Sequence, residues 1–487
     1  MVAGAMFFMT LSCWSLASPI LSAPDSANHI AHIWCSSTLH ASNCSGNDLT
    51  IEDIDLTVPA NFCYPDSVFL PANCTSENVV KVAISTQNYP SLFFRVMNVF
   101  VTNDMNLSIV LMRLFNSLIF VVLFVGQIIL GSKKLVLAYL TAFLFTITPY
   151  LLFLIPSVNP SSWAIIGLSN SAFFLLSIFS NNAHSGSRRH AIWFFWFISI
   201  LMCFSRYDSI VICIATNLIV VLSVQHKFFF QFIRKYAFVM LFGFFVVGTL
   251  TYHQISLFLN WISNLMTVNT IPFNPLGPNF GAWLSSWLMH FWAIPMESFG
   301  TGGLGWREIP IPQFVSLSGI GLLSAALIMA TVKINRRQLM VSGLCLTIML
   351  FNILAIANRE LDMFNVTARH IIPIFPFIIG SWIYFSNSPI QFLEIRNLRN
   401  LAITLIAISN FIALFTTIER YTVGWSGGVR LIRLRGIEHW WWSSLSFGPN
   451  FIIFMGTVTY LMFLIAVIRM VPLQDPEKVS INKIGYL

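Results

Sequence analysis

Charge is what this sequence has least of. Only 9% of its 487 residues are Asp, Glu, Lys or Arg, where soluble domains carry about 25%. With 56% hydrophobic residues, that shortage excludes an ordinary soluble domain and marks an integral membrane protein. The net charge of +8 is dispersed among apolar segments, so it gives no footing for a nucleic-acid partner. The glycine-rich run from Gly302 to Gly305 lacks the Lys-Ser/Thr of a P-loop. The cysteines contain no C-x-x-C pair, which weighs against zinc. No Lys or Arg precedes the first apolar run, and Pro24 follows its only A-x-A-like end. That run therefore reads as a retained helix, not a signal peptide. Internal repeats and mid-span charges, the marks of many transporters, are also scarce.

What is there is a succession of apolar segments and aromatic residues. Aromatics make up 15% of the chain, led by 46 Phe, as lipid-facing helices and interfacial belts require. The segments are 1–22, 107–130, 135–155, 161–180, 191–204, 209–224, 236–256, 314–332, 339–357, 371–385, 401–417 and 451–468. They predict an all-α polytopic bundle of about twelve transmembrane helices over residues 1–470, with a tail at 471–487. Taken alternately, the connections on one side sum to +12 and the rest of the chain to −4. The positive-inside rule then puts both termini in the cytoplasm of a plasma-membrane protein. Loops 24–106, 260–313, 358–370 and 418–450 fall on the extracytoplasmic side.

The stretch around which the chain is organised follows the first segment: Ala23-Pro24-Asp25-Ser26-Ala27-Asn28-His29-Ile30-Ala31-His32. If it is helical from Ser26, Asp25, His29 and His32 share one face. The bland account of Asp25 is a helix cap; the sharper one is a reactive carboxylate at the membrane boundary. Arg113 lies inside the second segment and needs a partner; Asp104 is the candidate. Arg206-Tyr207-Asp208 reads as an ion pair closing a hairpin, or as a cation at a cavity. Arg369-His370, at the mouth of segment 371–385, reads as an interfacial anchor or as an anion clamp, because guanidinium grips phosphate through two parallel hydrogen bonds. Arg359 and Arg420 are further cations on the same side. Cys35, Cys44, Cys63 and Cys74 share the first loop and suggest two disulfides. Glu52, Asp53 and Asp55 offer oxygen ligands for a possible divalent cation, although a solvated loop is the simpler reading.

Four motifs, in order, carry a resemblance: Pro24-Asp25 with His29; Tyr89-Pro90 before the second segment; Gly305-Trp306 leading to Pro310-Ile311-Pro312; and Arg369 with Pro373. The chain resembles the actinobacterial multi-pass membrane proteins of domain-of-unknown-function type 2142. These are similar in layout to GT-C glycosyltransferases, which use polyprenyl-phosphate sugars. The sequence departs from the pattern at Ser26, Arg307 and His370. The resemblance implies a GT-C-like bundle that moves a sugar from a polyprenyl-phosphate donor to a cell-envelope glycan or lipid acceptor, inverting the anomeric carbon. It implies Asp25 and His29 as catalytic residues. Arg369, His370, Arg206, Arg359, Arg420, Tyr89 and Trp306 would then bind substrate; no cofactor is certain, and a divalent cation stays open. The rival classes are a flippase for a lipid-linked saccharide and a non-catalytic assembly protein. The topology is directly testable: a cysteine placed at Asp48 or Gly427 should react with an impermeant thiol reagent on whole cells, and one at Asn335 should not.

Overall fold

The computed structural model describes residues 1–36, 48–50, 64, 67–72, 74, 81–83, 89–179, 185–224, 293–305, 307–331, 334–360, 368–387, 392–425, 440–442 and 448–471. Fifteen α-helices are described: α1 Val2–Leu16, α2 Ser26–Cys35, α3 Ser91–Asn98, α4 Met105–Leu130, α5 Lys133–Thr146, α6 Pro149–Leu154, α7 Pro160–Phe179, α8 Ser185–Cys203, α9 Tyr207–Val224, α10 Ala293–Glu297, α11 Gln313–Ala330, α12 Arg336–Glu360, α13 Phe375–Phe385, α14 Arg396–Val423 and α15 Pro449–Ile468. A short antiparallel pair, Asp48–Thr50 with Lys81–Ala83, lies in the first long loop.

Six of these helices, α4, α7, α9, α11, α14 and α15, are long and apolar enough to cross a membrane. The expected count of about twelve is therefore not reached among the described residues. Segment 135–155 is two helices, because Pro149 cannot donate to the ladder of a continuous one. Pro149 instead opens α6, whose first turn is capped by Thr148 Oγ1 accepting from Leu151 N. α1 is only 15 residues long, and segment 371–385 begins with two 3₁₀ turns, Ala368–His370 and Ile372–Ile374, before α13. Segment 236–256 lies outside the described residues. At the other extreme, α14 runs through Arg420 to Val423, so the last long connection begins at Gly424 rather than at 418.

α1 packs on α15 and α4, α7 on α8, α13 on α5, and α14 on α11 and α15. The phenylalanines are not all lipid-facing. Phe7 is fully buried and stacks on Phe463 at 4.5 Å, with Phe120, Phe124 and Phe143 around it. Rings in such offset and edge-on arrangements add dispersion and quadrupole attraction to simple burial. In a bilayer the lipid is as apolar as the core, so this kind of close packing is what holds helices together.

The helix ends sort by charge. Lys133, Lys134, Arg188, Arg189, Arg336, Arg337, Arg396 and Arg469 sit at one set of ends. There Lys134 Nζ donates to Ser386 O at 3.4 Å and Gln338 Nε2 to Trp382 O at 2.9 Å. The opposite ends, where α1 and α8 finish and α7, α9 and α13 start, carry Asp25, Arg206, Asp208, Arg369 and His370.

Arg113 does not pair with Asp104. Asp104 caps α4 by accepting from Asn106 N at 2.8 Å and Leu107 N at 3.3 Å. The buried Arg113 guanidinium reaches the end of α1 instead. Its Nη1 donates to Ser15 O at 2.7 Å and Ser18 O at 2.8 Å, and its Nη2 to Pro19 O at 2.7 Å and Ile20 O at 3.3 Å. Ser15 O, in the last turn of α1, has no intrahelical donor and lies at the negative end of the helix dipole; Ser18, Pro19 and Ile20 belong to the turn that follows, so one cation satisfies the helix end and the turn after it. Trp442 covers the same place, with Nε1 donating to Leu16 O at 2.8 Å and its ring 5.8 Å from the guanidinium carbon. Arg113→Gln removes most of these bonds and leaves buried carbonyls unpaired, at about 1–3 kcal/mol for each unsatisfied group. The variant should unfold at clearly lower temperature in detergent, losing at least about 2 kcal/mol of stability.

Candidate functional site

Asp25 stands at the N-cap position of α2 in a left-handed conformation, φ 59°, yet its side chain caps nothing. The helix-cap account of this residue is therefore set aside. Its Oδ2 instead accepts from Arg369 Nη1 at 2.6 Å, across 344 residues of sequence. Non-glycine residues rarely adopt positive φ, although Asp is among those that tolerate it best. Here the conformation is held from outside, because Asn159 Nδ2 donates to Pro24 O at 2.6 Å. Asn159 Oδ1 in turn accepts from Ser161 N at 2.8 Å, which starts α7.

Arg369 belongs to a three-residue 3₁₀ turn that is pinned on both flanks. On one flank, Ala368 N donates to Glu297 Oε2 at 2.8 Å. Glu297 Oε1 accepts from Arg307 Nε at 2.8 Å, so the carboxylate joins α10, the glycine-rich loop and this turn. On the other flank, His370 Nδ1 meets Arg206 Nη2 and lies 3.8 Å from Asp208 Oδ2. Arg206 grips Asp208 in fork geometry, Nε to Oδ1 at 2.9 Å and Nη2 to Oδ2 at 2.7 Å, and its Nη1 donates to Ser161 Oγ at 2.8 Å. The Arg206–Asp208 ion pair read from the sequence is thus present, and it also holds the Arg369 turn. Arg206, Asp208, Arg369, His370 and Pro373 line a small recess together with Leu168 and Met202.

His29 lies one turn beyond Asp25. Its ring is buried edge-on against Tyr89 at 4.9 Å, and its Nε2 has no hydrogen-bond partner among the described residues. His32 is farther along the same helix and packs on Phe94 at 4.2 Å. Burial pushes the Asp25 carboxyl up, but Arg369, with help from His29 and His370, more than offsets this and holds it below its ordinary value. Burial takes His29 down to about 3 against the attraction of Asp25. Burial and Arg206 take His370 to about 3 as well, against Asp208. Burial raises the Tyr89 phenol. Near neutral pH the centre is therefore an ionised carboxylate on a guanidinium, flanked by uncharged imidazoles.

Arg420 is not part of this centre. It is fully buried, donating from Nε to Glu308 O at 2.9 Å and from its two terminal nitrogens to Leu70, Tyr64 and Ser67 carbonyls. Tyr421 beside it donates to Glu308 Oε1 at 2.6 Å. Together they tie the first loop and the loop of residues 298–312 onto α14. That second loop turns through Gly300, Gly303, Gly305 and Arg307, all at positive φ, as the glycine run suggested. A Cβ at Gly305 would collide with the Glu308 carboxylate. Arg359 lies in the last turn of α12, where side chains fall outside the described residues, as does Trp306. Glu52, Asp53 and Asp55 also lie outside them, and among the described residues no cluster of three or more His, Cys, Asp or Glu is placed to hold a metal ion. Cys13, Cys203, Cys213 and Cys345 are free thiols, whereas Cys35 and Cys74 are disulfide-bonded. Cys44 and Cys63 lie outside the described residues.

Asn159, Ser161 and Glu297 were not singled out from the sequence. A signal existed for Glu297, which is the only Asp, Glu, Lys or Arg in residues 260–305. Asn159-Pro160-Ser161 is a plain turn-and-helix-start signature with nothing to mark its partner.

Helices of this length and apolarity make the chain a multi-pass membrane protein with a polar centre at one set of helix ends. Residues 7–378 match the model of a family described as Predicted membrane protein (DUF2142), and the chain belongs to that family. No curated protein and no solved structure matches it.

The two histidines set a pH dependence. Each binds a proton in the unfolded chain below about pH 6.5 but in the folded one only below about 3. Their contribution to stability is therefore complete above about pH 6.5 and is lost as pH falls towards 3. The Asp25 carboxyl, also depressed, adds a loss that begins only below about pH 4. Between pH 6 and 4, His29→Gln should flatten the fall in melting temperature, by up to about 1.4 kcal/mol per pH unit. An unchanged slope would show that His29 titrates normally.

Proposed function

We propose that the chain is a membrane glycosyltransferase that moves a sugar from a polyprenyl-phosphate donor to a cell-envelope glycan or lipid acceptor on the extracytoplasmic face. Both termini then lie in the cytoplasm, and the first loop is closed by two disulfides among Cys35, Cys44, Cys63 and Cys74. The observation that carries the reading is the 2.6 Å contact between Asp25 and Arg369 at the edge of a recess also bordered by Arg206. A carboxylate and two guanidiniums, converging where helix ends meet the membrane boundary, suit the two ends of this reaction.

The acceptor hydroxyl attacks the anomeric carbon while the bond from that carbon to the donor phosphate oxygen breaks. The hydroxyl proton passes to Asp25 Oδ, and the prenyl phosphate leaves with the electron pair. Arg369 and Arg206 stabilise the charge that grows on the departing phosphate. His29 is uncharged and lies one helical turn from Asp25, so it orients the carboxylate or the acceptor without adding charge. A narrow cleft lined mainly by apolar residues, Leu144, Leu152, Phe299, Val315 and Leu322 among them, starts two residues along the chain from Glu297. A flippase would place charge along the span. Arg113, the buried cation inside α4, instead spends both terminal nitrogens on carbonyls at and just after the α1 end, which supports the enzyme over the transporter.

Asp25→Asn keeps the size of the side chain but removes its basicity. General-base catalysis contributes about 10²–10⁴-fold, so sugar transfer in reconstituted vesicles should fall by at least about 10²-fold with folding retained. Wild-type transfer by this variant would end the assignment. Arg369→Lys should not restore transfer to an Arg369→Ala protein, because an ammonium cannot make two parallel bonds to phosphate.

A further inference from the structure

The proposed function leaves a conflict inside the site. Arg369 is assigned to the donor phosphate, yet it already holds an anion, Asp25, at 2.6 Å. The pair is neither sealed nor fully exposed: the two side chains retain 17% and 28% of their accessible surface. We propose that the Asp25 carboxylate is a built-in competitor for an anion site on Arg369. The phosphate group of an entering donor, a phosphodiester before transfer and a phosphomonoester after it, takes Arg369 and releases Asp25 as the base. The inference rests on the reading of Arg369 and Asp25 given above, and adds the order of events.

Three observations carry it. Arg369 cannot follow Asp25 away from the recess, because its turn is fastened at Ala368 by Glu297 and at His370 by Arg206 and Asp208. Only the two anions can exchange. Arg206 reaches the same recess and already meets a carboxylate of its own, so two guanidiniums face two carboxylates. A phosphate entering there must displace a carboxylate to obtain full guanidinium contact. Arg369 Nε and His29 Nε2, finally, are buried without a hydrogen-bond partner among the described residues. Each such atom calls for an explanation, and both lie on residues that border Asp25. Among the described residues His370 and Tyr89 also act on Asp25, Tyr150 faces Arg369, and Arg206 acts on His29.

The consequence for catalysis is directional. With Arg369 on it, Asp25 is a poor base, because the guanidinium stabilises the ionised form. Burial acts the other way, and it stays when Arg369 turns to phosphate. The carboxylate then becomes more basic at the moment a donor is present. Without donor it is kept as an ion pair, and no proton is taken from a bystander hydroxyl.

The test is binding, and it needs no transferase activity. Purified full-length protein in detergent is titrated with inorganic phosphate and, separately, with geranyl phosphate, reading affinity by calorimetry. Asp25→Asn should bind both about tenfold more tightly than wild type, the change expected when a partly exposed ion pair of roughly 1.4 kcal/mol no longer has to be broken. Arg369→Gln should bind neither measurably. Asp25→Ser serves as the second variant should Asn disturb the α2 start. Equal affinity in wild type and both Asp25 variants, with loss in Arg369→Gln, overturns the exchange but leaves Arg369 as the phosphate ligand. Equal affinity in all four proteins overturns the exchange and that assignment together. Tightening seen with geranyl phosphate alone identifies a lipid-borne phosphate as the ligand; tightening of equal size with both identifies the phosphate group by itself.

Discussion

The end of α1 is where this structure is decided. A helix that stops inside a membrane protein leaves carbonyls with no donor, and no water is at hand to supply one. Arg113 meets that demand with one planar group, which collects oxygens from Ser15, Ser18, Pro19 and Ile20. The chain can then leave the helix, turn through Pro24 and present Asp25 in a left-handed conformation. Asn159 fixes the last step of that turn and links it to Ser161, which touches Arg206. The position of the carboxylate thus depends on a guanidinium buried in α4 and an amide at the start of α7. Arg420 does the same kind of work at the end of α14, for the loops that flank the centre. Two arginines with similar sequence surroundings to the site arginines are, in space, staples of backbone.

That distinction explains how far the sequence could be read. The helices of α4, α7, α9, α11, α14 and α15 were legible to within a few residues, because continuous apolar runs bounded by Pro, Gly or Asp leave little choice. The split of α5 from α6 was also written in the chain, at Thr148-Pro149, but hydropathy alone reads across it. The partner of Arg113 was not legible. A search for an acid found Asp104, whereas the structure uses carbonyls, which every residue possesses and no sequence pattern marks. The carbonyls that Arg420 holds were illegible for the same reason. Asp25, His29, Tyr89, Arg206, Arg369 and His370 lie close together in the structure. That Asp25 meets Arg369 rather than its own helix N-terminus depends on a pairing across most of the chain, beyond the reach of local spacing.

The charge balance of the centre follows from its surroundings. Unpaired charge at the edge of a bilayer is costly, and the site contains two guanidiniums and two carboxylates, each cation matched to one acid. The histidines do not disturb the balance, because burial and the nearby arginines keep both uncharged near neutral pH. Such a centre is electrically quiet when empty and tolerates a hydrophobic setting. It is not inert, because the two pairs differ. Asp208 is held in fork geometry by Arg206 and also receives Ser209 N at 2.9 Å. Asp25 is held by one guanidinium nitrogen and has the more exposed side chain of the pair. An anion arriving at the recess therefore meets one tightly built pair and one loosely built pair, and the looser pair is the one that includes the residue placed to take a proton. The asymmetry comes from backbone geometry: Asp208 sits two residues from its arginine on the same turn, while Asp25 and Arg369 meet only because separate helices bring them together.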